Sequence, residues 1–416
     1  MIETNFKHTE IGLIPHDWEV FSVGNDCYIK ARIGWQGLTT AEYLDHGEYG
    51  LITSTDIVDG KINWNTCWFV SEDRYRQDAK IQVRGNDVLI SKDGTIGKVG
   101  IVKELPYPAT LNSGVFVIRT NNSQQSQKGL SLAFISPFFA DFIKRLTAGS
   151  TIVHLYQKDI VNYQYPLPPT VTEQERIVDA LSSIDTLIGA LNEQIEKKRH
   201  IKQGTMQQLL TGKKRLAGFT GEWKEVRLGD VAKLKSGYAF KSTTYFNIGT
   251  FKIITIANVQ NGVLDMSDYN KIVEIPSNIQ EHQILKEGDI LVSMTGNVGR
   301  VCRVDCKNCL LNQRVGVFAL KNTIDAEYLY VILNNLEFEK EMIGKGHGAA
   351  QPNIGSSDVE SYCFVVPPTI AEQSAIAEVL SGMDTEIAAL EQKRDKYIAI
   401  KSGMMQDLLT GKIRLV

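Results

Sequence analysis

What this chain lacks narrows the work it can do. Its 416 residues hold only six cysteines, too few for a disulfide-stapled secreted scaffold. No apolar run approaches the ~18–20 residues of a membrane span. The longest, such as 251–257 with Lys252 inside it, are strand-length. The opening segment MIETNFKHTEIG has no apolar signal-peptide core, so a cytoplasmic location without membrane attachment is expected. An excess of positive charge is also missing. Lys and Arg number 45 against 48 Asp and Glu, a net charge of −3. That disfavours a nonspecific nucleic-acid coat, yet a sequence-specific binder needs only a local basic face.

Catalytic signatures are equally scarce. Thr211-Gly212-Lys213-Lys214 and Thr410-Gly411-Lys412-Ile413 end helices, where a phosphate-binding loop would open one. No glycine-rich dinucleotide fingerprint follows a strand, and the seven histidines form no HExxH. The pairs Pro168-Pro169 and Pro367-Pro368 lack the Asn/Asp-Pro-Pro-aromatic form that amino-methyltransferases use to hold a flipped base. A nuclease-like set at Asp87, Ser91 and Lys92 is broken in the second half, where Met294 replaces the lysine. No catalytic residue is assigned. Cys302, Cys306 and Cys309 have a spacing that could supply three zinc ligands, with Cys363 or His347 as a fourth. The corresponding stretch 102–105 has no cysteine, and the strand-like apolar setting favours a plain structural reading, with disulfides disfavoured in a reducing compartment.

What is present is a duplication. Residues 167–216 and 366–415 align without a gap at an offset of 199, and about half their positions are identical. A period this long is not a solenoid repeat. It describes two globular modules, each followed by one long helix. In the first copy Pro168-Pro169 precedes the helix, with Thr172 and Glu175 read as a capping box. Ile177, Leu181, Ile184, Ile188, Leu191 and Ile195 then recur at alternating four and three, a coiled-coil seam. Ile376, Leu380, Met383, Ile387 and Leu390 repeat it, and Gly212 and Gly411 suit the stops. Each helix would run about 60 Å at 1.5 Å per residue. Antiparallel pairing of the two would separate the modules by ~50–60 Å along the rod; packing of each helix on its own module, or pairing between chains in a dimer, is the alternative. Lys198, Lys202, Arg394 and Lys401 interrupt the apolar stripe and could fix register.

The modules share a frame more than a sequence. Strand-like runs at 87–91, 98–103 and 115–119 match those at 251–257, 289–294 and 314–320 in type and order, and each set is followed by a helical stretch, 131–147 or 325–343. The predicted class is α+β, with boundaries at 1–165, 166–216, 217–365 and 366–416. Two matched loops suit nucleic-acid contact. The first pair is Gly-rich and cationic, containing Lys92, Thr95 and Lys98 in one module and Asn297 and Arg300 in the other. Glycine lets backbone N–H groups approach phosphate, although the same pattern fits a solvated hairpin turn. The second pair holds Thr151, His154, Gln157 and Lys158, against His347, Gln351 and Asn353. Asn and Gln can pair bidentately with adenine edges.

Together these features resemble the specificity subunit of type I restriction–modification enzymes. The resemblance rests on the entry segment 10–20, on PLPPTVTEQERI with LLTGKKRL, and on VPPTIAEQSAI with LLTGKIRL. Leu311-Asn312-Gln313-Arg314 and Gln351-Pro352-Asn353-Ile354 add family-like patterns, which make Gln313 and Arg314 further DNA-contact candidates. The first module has no clear counterpart of Gln351-Pro352-Asn353. The resemblance implies two target-recognition domains joined by an antiparallel helical rod, each reading half of a split site in double-stranded DNA. It implies two modification subunits that bind S-adenosylmethionine, and restriction subunits that use ATP, with no cofactor on this chain. An adaptor whose modules bind proteins, and an uncharacterised enzyme, remain open readings at this point.

Overall fold

In the computed structural model, residues 5–33, 37–147, 154–246, 248–346 and 352–416 are described. The chain divides into two compact units. One comprises Met1–Asn192 with Gln392–Val416, the other Glu193–Glu391. Each unit therefore contains one module, the first half of the helix that follows it, and the second half of the other long helix.

In the first unit a four-stranded antiparallel sheet runs in the order Val99–Ile101, Val88–Ser91, Val115–Thr120, Cys27–Lys30. Both of its faces are covered, and the strand alternation shows why. Val88, Ile90, Phe116 and Ile118 point to a layer built by the helices Gln127–Ile135 and Pro137–Thr147, with Phe134, Phe139 and Phe142. Leu89, Val115 and Val117 point the other way. There they meet Ile52 and Leu111 of a second sheet, ordered Ala109–Leu111, Tyr49–Ile52, Trp68–Val70. Successive residues of a strand face opposite sides, so a run buried on both sides reads as continuously apolar.

The second unit repeats the plan. Ile290, Val292 and Phe318 face a helical layer, whereas Leu291, Val315 and Val317 face the other sheet. Its helices are Ala326–Leu333 and Leu336–Lys345. The sequence reads 325–343 as one helix, but it is broken in two; in 131–147 the sequence has Pro137 opening the main part, and the break falls there. In the first module Ser136 is extended and Pro137 opens the second piece, as its fixed φ favours.

The module exits beside its own entrance. Gln164–Leu167 pairs antiparallel with Glu19–Ser22, and Cys363–Val366 with Lys224–Arg227. The two long helices, Val171–Leu209 and Ile370–Leu409, start directly afterwards. Their caps are Thr170 and Thr369, whose hydroxyls accept from the backbone N–H of Glu173 and Glu372. Thr172 is not the cap. The repeat carried the signal, since Ala371 stands where Thr172 does, while Thr170 and Thr369 are shared.

The helices pack antiparallel. Within the first unit Ile177 and Leu181 share a core with Leu408 and Leu409, and Lys401 pairs with Asp185 at 2.6 Å. Within the second, Lys198 pairs with Glu386 and Lys202 with Asp384, both at 2.5 Å. Three of the four seam cations thus find a carboxylate on the facing helix. Arg394 instead pairs with adjacent Asp395. Exposed pairs of this kind stabilise by only about 0–1 kcal/mol each, so their effect is on register.

The helix ends are locked by a repeated clamp. Gly411 (φ +69°) turns the chain so that Arg414 reaches Glu173 in the first turn of the facing helix, at 2.7 and 2.8 Å. Arg414 also holds both carboxylate oxygens of Asp17 at 2.8 Å. In the second unit, Arg215 follows Gly212 and donates to Glu372 at 2.9 and 2.6 Å. Any Cβ on Gly411 would lie 2.2 Å from Pro15, and one on Gly212 3.2 Å from Trp223.

Candidate nucleic-acid interface

Three segments converge at one edge of each module. The first is the Gly-rich loop after the central strand, residues 92–98 or 294–300. The second is the turn at 112–114 or 312–314, which leads into the last strand of the four-stranded sheet. The third is the segment preceding a short helix, Gln157–Ile160 or Ser356–Glu360. In the first module the backbone of Lys92 joins all three. Its N–H donates to the Gly114 carbonyl at 2.9 Å, and its carbonyl accepts from Leu155 at 2.8 Å. Met294 does the same in the second module, with Arg314 and Ile354 both at 3.0 Å.

The loop itself is held by a serine, Ser91 or Ser293, at the end of the strand before it. The Ser91 hydroxyl donates to the Thr95 carbonyl at 2.6 Å and accepts from Lys98 N–H at 2.9 Å. Ser293 repeats this with the Asn297 carbonyl and the Arg300 N–H. Gly97 and Gly299 are left-handed, at φ +77° and +81°. A Cβ there would lie 2.9 Å from Ile143 and 2.6 Å from Met342, so the packing of the loop on its helix also requires glycine.

On this common frame the side chains differ. In the first module Asp93 Oδ1 and His154 Nδ1 are 2.6 Å apart. In the second the Thr295 hydroxyl donates to the Asn353 amide oxygen at 2.6 Å. The two matched loops of the sequence are therefore brought into contact in both modules. The partners of His154 and Asn353, at Asp93 and Thr295, were not singled out from the sequence, because each lies about 60 residues away along the chain.

Around these pairs, Thr95, Gln157, Lys158, Asn297, Gln313 and Arg314 are exposed, and Lys98 is exposed at the far end of its loop. Lys92 lies 5.2 Å from the Phe116 ring centroid, and Lys158 5.4 Å from that of Tyr156. Tyr156, 55% exposed, adds an aromatic face that sequence reasoning missed. Lys98 and Arg300 close their loops away from the paired side chains. Lys98 lines a small pocket with Val58, Asp59 and Gly60, and Arg300 donates to Gln260 and approaches Glu339 at 4.0 Å. Thr151, His347 and Gln351 lie outside the described residues. Cationic, amide and hydroxyl groups at one edge suit contacts to phosphates and base edges alike.

The cysteine cluster behaves differently from expectation. Cys306 and Cys309 form a disulfide, against the sequence reading, and Cys302 is a buried free thiol. Asn308 at φ +61° makes the tight reversal that folds Cys309 back towards Cys306. Among the described residues no group of three or more His, Cys, Asp or Glu side chains is arranged for a metal ion. No helix among them is long and apolar enough to cross a membrane.

The family described as type I restriction modification DNA specificity domain matches residues 15–198 and again 220–399. The chain therefore belongs to the type I restriction–modification specificity family and carries two of its domains in tandem. A Methanocaldococcus jannaschii protein named type I restriction enzyme MjaVIII specificity subunit is 28% identical over 436 residues, covering 99% of this chain and 97% of the relative. A second protein from that organism, the putative MjaX specificity subunit, is 27% identical over 438 residues, with the same coverage of both chains. In fold, the chain is similar to the S subunit of a type I restriction–modification system from M. genitalium. That likeness has a TM-score of 0.61 at 15% identity and covers 94% of this chain and 96% of the other.

Proposed function

We propose that this chain is the DNA-reading subunit of a type I restriction–modification enzyme and performs no bond chemistry itself. Each module reads one half of a bipartite target in double-stranded DNA through the edge described above. The antiparallel helices set the spacer between the half-sites and scaffold two modification subunits. Those subunits carry S-adenosylmethionine for adenine methylation, and restriction subunits that use ATP join the assembly, which acts on DNA in the cytoplasm. The observation that carries this reading is the repeated edge. The same backbone hydrogen bonds recur at Lys92 and Met294, while the side chains on that frame change from Asp93–His154 to Thr295–Asn353. A constant frame with variable polar groups is what two readers of different short sequences require.

The test is the methylome of a host with and without this gene, beside an active partner methyltransferase. A split motif of methylated adenines that depends on the gene is expected. An unchanged methylome would refute the proposal and leave the protein-binding adaptor as the better reading. Exchanging residues 1–165 for another module of the family should change one half-site only, and altered halves on both sides would refute independent reading.

A further inference from the structure

The first unit holds a cavity of about 230 Å³ that plays no part in the DNA edge. Its walls come from the Ile57–Val58/Lys61–Ile62 hairpin, the helix Gln127–Ile135, and the packed stretches of the two long helices. The floor is apolar, made by Ile101, Ile135, Leu181 and Met405. The rim carries four lysines, Lys61, Lys103, Lys128 and Lys401, against two carboxylates, Asp59 and Asp185, and Lys128 is paired with Asp179 at 2.5 Å. Lys401 is paired with Asp185 at 2.6 Å, but among the described residues no carboxylate comes within ion-pair distance of Lys61 or Lys103. Among the described residues the Lys103 ammonium donates to the Ser182 hydroxyl alone, at 3.0 Å. That leaves the serine proton available to a ligand.

We infer that this cavity binds a compact amphipathic anion, a phosphate-type group carried on a small apolar body. The anionic group would sit between Lys61, Lys103 and the Ser182 hydroxyl, with the apolar body on Leu181 and Met405. Electrostatics favour the same occupant. Lys103 is exposed overall, but partial desolvation of its amine against the cavity wall holds it below the ordinary lysine range, and although Asp185 opposes this, Lys61 and Lys401 push it the same way. An anion relieves both penalties, because a nearby opposite charge favours the ionised form. Size limits the choice. The volume falls below the roughly 300 Å³ at which drug-sized sites begin, so a ring of one benzene size fits and a whole nucleotide does not.

The experiment is titration calorimetry of the full chain with phenyl phosphate, inorganic phosphate, phenol and adenosine monophosphate. Saturable binding of phenyl phosphate at one site is expected, with inorganic phosphate and phenol each at least tenfold weaker. Lys103→Met, which keeps the stem but removes the charge, should weaken phenyl phosphate at least tenfold. Its melting temperature and its DNA affinity should match the parent's. Lys61→Met gives a second charge deletion on a different element, should either variant fold poorly. Phenyl phosphate bound no better than inorganic phosphate would overturn the apolar floor. Binding unchanged by both substitutions would overturn the site. Adenosine monophosphate bound more tightly than phenyl phosphate would overturn the assigned ligand size.

Discussion

Removing the guanidinium of Arg414 should cost the first unit far more than a surface ion pair would. Glu173 is 1% exposed and receives two hydrogen bonds from Arg414 and one, at 3.3 Å, from the Leu415 N–H. In Arg414→Met the carboxylate keeps its burial and loses its countercharge. Breaking a buried pair from one side typically costs about 3–5 kcal/mol. For a folding unit of this size each kcal/mol shifts the melting temperature by about 2–4 °C, so a fall of roughly 6–20 °C is expected for the transition that includes the first module. Calorimetry of the full chain reads it, because the Glu193–Glu391 unit has its own clamp and provides an internal reference. The double variant Glu173→Gln/Arg414→Met should recover most of the loss, since no buried charge is then left alone. A loss below about 1 kcal/mol in the single variant, the range of exposed pairs, would refute the reasoning. So would a double variant no better than the single.

The same clamp gives an acid dependence. Hydrogen bonds from Arg414 hold the Asp17 carboxyl below its ordinary value of 3.8, so its contribution is complete above that pH and lost as pH falls through the lower folded value. Acid unfolding of Asp17→Asn, followed by circular dichroism, should therefore lack that part of the slope below pH 3.8. Gly299→Ala places a Cβ 2.6 Å from Met342 at φ +81°. It should destabilise the second unit by more than the roughly 1–2 kcal/mol of a left-handed alanine alone, measured as urea midpoint. His154→Ala and Asn353→Ala should each relax one half-site, by about 1–3 kcal/mol of discrimination at a base pair, in competition binding against single-base variants. Relaxation of the same half by both would contradict one reader per module.

The long helices were legible because their information is local. The alternating four-and-three spacing placed Ile177, Leu181, Ile184, Leu191, Ile195, Ile376, Leu380 and Ile387 inside, and all are buried. Ile188, Met383 and Leu390 are only partly covered. Gly212 and Gly411 were legible for the same reason, since a left-handed residue just past a helix is written in one position. The cap at Thr170 was within reach, because the spacing Thr-x-x-Glu occurs twice there and only one of the two survives in the repeat. Contacts that close over long stretches of chain were not legible. Glu173 and Arg414 are 241 positions apart, and each looks alone like an ordinary surface charge. Asp93 and Thr295 were hidden by separations of 61 and 58 positions from their partners, which a single sequence does not encode as a pattern.

The two clamps also explain how a duplicated chain holds its helices in one alignment. A heptad stripe by itself tolerates sliding by seven residues, since every slipped register still buries apolar positions. The identical Arg–Glu pairs at both ends do not tolerate it. A slip of one heptad moves each partner by about 10 Å along the helix axis, which takes Arg414 from Glu173 in one unit and Arg215 from Glu372 in the other. Both carboxylates are buried, with 1% and 0% of their side chains exposed, so each slipped state leaves two uncompensated charges. The energy gap against misregister therefore comes from the ends of the helices, where the repeat is most alike, and the seam between them supplies affinity. That division leaves the modules free to change sequence at their exposed edges without disturbing the register of the helices.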